Sequence, residues 1–268
     1  MIIKRSLFFL LLIFLINIVK VSAQILHTEN FSVILDTTKK IKGSIVPDFR
    51  FENQKKNLIE FENVSDITFL IKKSALTFAN KIELSKYGEE VLLSGGYLYV
   101  EYGKILKQKF SIDPFSQIHW SEARGLEFKY AGGFYARYSL LKKDNIGLFV
   151  GLGTFYEHEQ WNYDGVNDTL LIPSISKDIY SDQFKIGSYL GFKYESDYNF
   201  SIDLSIYHQS RYDEIITTPR LASSASITYN FTEHLGLIAK YQNIYDFNPL
   251  VPIDKLFNHI ILSIDISF

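Results

Sequence analysis

Apolar and polar residues alternate with a period of two over most of the chain. The last twelve residues show it: Ile260, Leu262, Ile264, Ile266 and Phe268 fall on one face, His259, Ser263, Asp265 and Ser267 on the other. Ile261 is the one apolar residue out of phase. This is the pattern of a strand with one apolar and one polar side. The same reading gives twelve strand candidates, at 40–52, 57–71, 75–85, 91–104, 109–121, 125–140, 145–159, 182–195, 198–213, 219–232, 234–246 and 257–268. They are longer than the ordinary globular strand of about five or six residues. They suit a tilted strand with about 9–11 residues in hydrocarbon.

The faces differ in kind. In the sixth candidate Leu126, Phe128, Tyr130, Phe134 and Tyr138 oppose Glu127, Lys129, Tyr135, Arg137 and Ser139. In the eighth, Phe184, Ile186, Leu190, Phe192 and Tyr194 oppose Lys185, Gly187, Tyr189 and Lys193. The apolar rows carry no Asp, Glu, Lys or Arg, although these types make up 22% of the chain. A water-facing sandwich would place charges on its outer rows. A bilayer excludes them, at about 2–4 kcal/mol for Arg or Lys at the midplane. Rings gather at the ends of the apolar rows, with Trp120, Tyr156, Tyr212 and Tyr245 at one interface and Tyr102, Tyr138, Tyr194 and Tyr229 at the other. The long connections, Gln160–Ser181 and Phe247–Leu256, both fall in odd-numbered, extracellular places, while the even turns are short. The fold class expected is all-β: a transmembrane antiparallel up-and-down barrel of about twelve strands at 40–268.

Composition agrees with that class. Phe and Tyr are abundant, at 22 and 18 residues, and mean hydropathy is near zero because the two faces cancel. Lys4 and Arg5, the apolar run Leu7–Val19 and Val21-Ser22-Ala23 read as a cleaved secretory signal at 1–23, with a short periplasmic lead-in at 24–39. Without that signal the chain carries 25 basic against 30 acidic residues, so nucleic acid is not an expected partner. With no cysteine there is no lipid anchor on a thiol, no disulfide and no thiolate metal site.

A chain closing on an amphipathic strand with a terminal Phe resembles barrel proteins of the Gram-negative outer membrane. Their last strand engages the barrel assembly machinery, here through Phe268. The pattern also resembles a family catalogued as domain of unknown function 481, some of whose members are described as salt-induced outer-membrane proteins. The similar passages are His27-Thr28-Glu29-Asn30-Phe31, Tyr156-Glu157-His158-Glu159, Tyr207 to Asp213 and Phe231-Thr232-Glu233-His234-Leu235. The resemblance implies export through the periplasm, an outer-membrane location in contact with its lipid, and a stress-related, non-enzymatic role. It supplies no catalytic residue and no cofactor. Where the family favours Tyr-Gln-Pro-Arg, this chain has His208-Gln209-Ser210-Arg211.

That departure makes His208 and Ser210 a pair on one lipid-facing row, the spacing of a base and nucleophile in an outer-membrane phospholipase or lipid A deacylase. Glu214 has the parity of a third member. The bland reading is two interfacial polar residues at a strand end. Inward rows hold Glu60, Glu62, Asp66, Lys81, Glu83, Glu101, Glu127, Lys129, Arg137, Lys185, Lys193, Arg211, Lys240 and Asp265, with acids early and bases late. Such a lumen is either a narrow solute pore with a transverse field or a closed space filled by ion pairs. Twelve strands fall between filled eight-stranded barrels and water-filled porins. Glu157, His158 and Glu159 are split across two faces by alternation, which disfavours a metal site. Trp161, Tyr163, Asp164 and Asp168 lie in the long loop, which is read first as an ordinary surface loop and second as a site for an external partner or ligand. Gly95-Gly96 and Gly132-Gly133 are expected to let the wall bend. Asn63, Ser65, Asn80, Ser94 and Gly96 form a polar, small-residue patch midway along three outward rows. It is either a surface for a second copy or a locally bonded cluster.

Overall fold

The computed structural model describes residues 40–53, 56–167, 172–173 and 178–268, so the expected signal and lead-in lie outside the described residues. Within them run β1 (Ile41–Asn53), β2 (Asn57–Ile71), β3 (Ser74–Tyr87), β4 (Glu90–Lys107), β5 (Phe110–Ser121), β6 (Leu126–Lys143), β7 (Ile146–Trp161), β8 (Ile179–Glu195), β9 (Phe200–Arg211), β10 (Arg220–Asn230), β11 (Leu235–Asp246) and β12 (Leu256–Ser267). Each strand is antiparallel to the next, and β12 returns to β1 to close a barrel. The strand count, the antiparallel order and the two-sided pairing of the terminal strand all follow the alternation. Closure is what alternation requires, because an open edge in hydrocarbon leaves backbone groups unbonded at several kcal/mol each.

The outward rows bear exposed Phe49, Phe134, Leu152, Phe184, Ile206 and Leu262. Charge enters the outward parity near strand ends, as at Asp182 in β8 and Lys104 in β4. One row departs from the sequence expectation. A register shift between Leu126 and Phe128 turns Leu126 inward, to 1% exposure, and Glu127 outward to Gln160 and Asn162. A bulge inserts one residue, so the parity flips across it.

The seam between β1 and β12 is short. Its ladder holds Ser44↔Ser267 and Ile45↔Ile266, and Gly43 and Phe268 exchange both backbone bonds at 3.0 Å. By contrast β1 pairs with β2 from Ile41↔Phe69 to Asn53↔Asn57. Every second residue of an antiparallel strand bonds to the same neighbour. Counting from Gly43, the third such position on β1 is Pro47, which has no N–H to give. Ser263 Oγ still donates to the Pro47 carbonyl at 3.0 Å. Above that point no ladder pair joins the two strands among the described residues.

Loops close the outer end. A single 3₁₀ turn, Glu122–Arg124, leads into Gly125, whose φ of 72° is the left-handed conformation that favours glycine. Asn162 N–H donates to the Gly125 carbonyl at 2.7 Å, and a Cβ at Gly165 would stand 2.2 Å from the Arg124 backbone. Leu126, Trp161, Val166 and Val251 are buried together beneath these loops, with Tyr163, Ile172, Leu250 and Ile253 against them. Two described residues of the connection read as a loop are core: Trp161, which ends β7, is 3% exposed, and Val166 is buried beside it. Asp168 lies outside the described residues.

Candidate functional site

Among the described residues, polar side chains of many strands converge in the lumen, and its two sides differ. Along β4 to β12 it is filled by an apolar layer. Phe115, Ala131, Tyr135, Phe155, Tyr207, Ala222, Ile244 and Phe257 are buried together. Ring centroids lie 5.5 Å apart for Phe115 and Tyr135, 5.3 Å for Tyr135 and Tyr189, and 5.1 Å for Tyr189 and Tyr207. Offset and edge contacts of this kind add about 0.5–1.5 kcal/mol per pair beyond the area they bury. Glycines make the space: a Cβ at Gly151 would lie 2.1 Å from the Tyr189 ring, and one at Gly187 would lie 2.2 Å from the Tyr135 hydroxyl.

Ion pairs bracket that layer. On the outer side Lys129 Nζ lies 2.7 Å from Glu157 and 2.9 Å from Glu159. Arg220 spans Glu157 at 3.2 Å, Glu159 at 3.1 Å and Asp246 at 2.9 Å, and Lys185 also pairs with Glu157. On the periplasmic side Arg137 holds Asp113 at 3.1 Å and donates to Ser111 Oγ at 3.1 Å, while Tyr99 donates to Glu101. Arg124, in the turn outside the spanning strands, lies 4.0 Å over the Phe257 ring and 5.5 Å over Trp161. Burial, with Arg220 adding to it, pushes its guanidinium down to about 10, so it stays charged at neutral pH.

The wall of β1, β2, β3 and β12 is less filled. A cavity of about 660 Å³ lies in its outer half, among Asp48, Arg50, Glu62, Glu83, His259 and Ile261. A second, of about 420 Å³, opens at the periplasmic end among Lys42, Ser44, Asp66, Lys193, Asp203 and Asp265. The ladder places them in line. Asp48↔Glu62 belongs to the outer cavity and Ser44↔Asp66 to the inner one, and Val46↔Val64 lies between. Val46, Val64 and Ile261 are buried together there, with Ile238 against them. Ile261, the residue out of phase in the sequence, is the third member of this apolar constriction. Charged pairs sit just above it: Lys81 with Glu83 at 2.7 Å and Glu62 at 3.2 Å, and His259 at 3.5 Å from Glu62.

The division into an acidic and a basic side does not hold. Glu157 and Glu159 project inward among the bases, a consequence of the alternation that split the Glu157–Glu159 run. His158 points outward to Asp182 at 2.8 Å. Many lumen charges are instead paired locally, as Lys129, Lys185 and Arg220 are with Glu157.

His208 and Ser210 share an outward parity, yet the structure does not bring them together. His208 Nε2 is 2.9 Å from the Ile215 carbonyl, so the loop after β9 folds down over this row. Ser210 is 3% exposed rather than open to lipid, and its Oγ has no hydrogen-bond partner among the described residues. Glu214 is engaged by Thr218. Among the described residues, His208, Ser210 and Glu214 do not share the hydrogen-bonded chain that links base, nucleophile and orienting group.

In the outward patch, Asn80 and Asn63 donate to Ser65 Oγ at 2.8 and 3.2 Å. A Cβ at Gly96 would meet the Trp120 ring at 3.0 Å, so that position is covered from within the chain. Ser94 lies opposite Leu84.

No family model and no curated protein matches the chain. Among solved structures it is similar to the NanC porin, at 11% identity over 85% of this chain and 97% of that one, with a TM-score of 0.44. For the KdgM porin the values are 8%, 85%, 99% and 0.43. For the toluene transporter TodX of Pseudomonas putida they are 9%, 84%, 78% and 0.36. The likeness is one of barrel outline, at identities too low to carry over any residue.

Proposed function

We propose that this chain is an integral outer-membrane barrel whose lumen forms a narrow, normally closed path for small polar solutes. The path runs along β1, β2 and β12. One observation carries it: two polar cavities, the outer on that wall and the inner reaching from it to β8, β9 and β10, with the apolar row of Val46, Val64 and Ile261 at the level between them. Hydrophobic constrictions close pores by shedding water, and a row one residue deep needs only side-chain movement to conduct. The outer-membrane location rests on the uncharged outward rows and on closure of the wall. A stress-related role of the kind described in the family of domain of unknown function 481, assembly through the strand ending at Phe268, and contact of Asn63, Ser65, Asn80, Ser94 and Gly96 with a second copy belong to the same proposal. For that last contact, the local bonds of Ser65 leave little polar surface to offer.

The test is conductance in planar bilayers. The wild type should give small or rare steps, and Val46→Ala/Val64→Ala/Ile261→Ala should give larger and more frequent ones. A triple variant that inserts and conducts no more than the wild type would remove the path.

A further inference from the structure

The outer half of the β1–β12 seam is a place where the wall is not zipped. Above Ile45↔Ile266 the backbone edge of β1 through Phe49 and Phe51 faces that of β12 through Leu262 and Ile260, with no ladder pair between them. Phe49 and Leu262 are 66% and 68% exposed. Directly behind this slit lies the 660 Å³ cavity, which Asp48 and Arg50 of β1 and residues 257–262 of β12 both line. An unpaired strand edge cannot stand in hydrocarbon unless water or another polar group reaches it. Here the cavity brings polar surface to the edge, so lumen and outer leaflet meet at one level.

We propose that this seam is a lateral portal that holds an amphiphile, its apolar chain between β1 and β12 and its headgroup in the cavity. The chemistry of the lining selects the headgroup. Asp48, Glu60, Glu62, Glu83 and Asp254 line the cavity together with Arg50, Arg124 and His259, and Lys81 reaches Glu62 and Glu83 from beside it, which leaves more carboxylates than cations. Arg50 is already paired with Glu52 and Glu60, and Arg124 lies against Phe257. A cationic, amine-bearing headgroup fits this excess of carboxylate, and an anionic one is repelled. The apolar lining, with Ile253, Phe257, Ile260 and Leu262, receives the upper part of the chain. The source is either a membrane lipid entering sideways or a free amphiphile entering from outside beneath the loops.

This inference depends on the membrane location and not on solute passage, and its test leaves Val46, Val64 and Ile261 in place. The chain has no cysteine, which makes a reversible clamp clean. Phe49 and Leu262 would be opposite one another if the register of Ile45↔Ile266 continued. Phe49→Cys/Leu262→Cys, closed by oxidation or by a short bis-maleimide, should cut binding of a fluorescent dodecylamine in nanodiscs by at least about tenfold. Reduction of the disulfide should restore it. A matching clamp at Ser44→Cys/Ser267→Cys, where the strands are already paired, should change nothing, and a fluorescent dodecyl sulfate should bind neither protein. Adding the probe from solution to preformed discs, or dissolving it in the lipid first, separates the two sources. Equal binding with the seam clamped and free would overturn the portal, as would no amine binding by the wild type. A clamp forming between two molecules would show instead that the edges pair with a second copy.

Discussion

The two sides of this barrel solve the same problem differently. From β5 to β11 the wall is filled by rings and by a lattice centred on Glu157, which meets Lys129, Lys185 and Arg220. From β12 through β1 to β3 there are the larger cavity, one apolar row and a seam of two ladder pairs, and a smaller cavity reaches from this wall to β8, β9 and β10 at the periplasmic end. A closed ladder alone therefore does not make a lumen closed. The stiff side fixes the circumference, and the sparsely filled side is free to carry whatever moves through or into the wall.

The largest expected effect tests the stiff side. Glu157→Gln leaves three buried cations around a neutral amide and should cost about 3–5 kcal/mol of stability. Urea unfolding from lipid vesicles measures it, and a loss below about 1 kcal/mol, the scale of an exposed pair, would mean the lattice is solvated rather than structural. Phe155→Ala, in the centre of the ring layer, should cost a comparable 3 kcal/mol or somewhat more, about the scale of a deleted core ring. On the other side Val46→Ala should cost only about 1–2 kcal/mol, since fewer atoms are removed and a cavity already adjoins them. If Val46→Ala proved as damaging as Phe155→Ala, the two sides would not differ in filling. The smallest effect has the opposite sign. Pro47→Val supplies the missing N–H at the seam and should add about 0.5–1.5 kcal/mol, the net worth of one hydrogen bond. Amide exchange at Phe49 and Phe51 should slow in the same variant, and unchanged exchange would show that something other than Pro47 ends the ladder.

Much of the architecture was legible because hydrocarbon penalises every charged outward residue, so twelve rows declared their facing. Parity failed only where a bulge intervened, at Leu126 and Glu127. The site was less legible. Glu157 and Glu159 were on the page as an alternating pair, but which bases meet them depends on shear around the barrel, which no single strand carries. Trp161 read as a loop residue because its burial comes from Val166 and Val251, distant in sequence. His208 and Ser210 had the right spacing, and a loop folding over them is not written in spacing. Two signals were available and small: Ile261 out of phase, and a proline inside the first strand.

The account turns on a path that is blocked at one row. Single cysteines at Asp48 and Ser44 lie on either side of Val46 on the same inward face. In oriented proteoliposomes, a charged, membrane-impermeant thiol reagent added at the loop end should label Asp48→Cys rapidly and Ser44→Cys slowly. Adding Ile261→Ala should make Ser44→Cys react at a rate close to that of Asp48→Cys. Labelling of Ser44→Cys that is fast already in the otherwise wild-type chain, or that stays slow after Ile261→Ala, would contradict a passage closed by Val46, Val64 and Ile261.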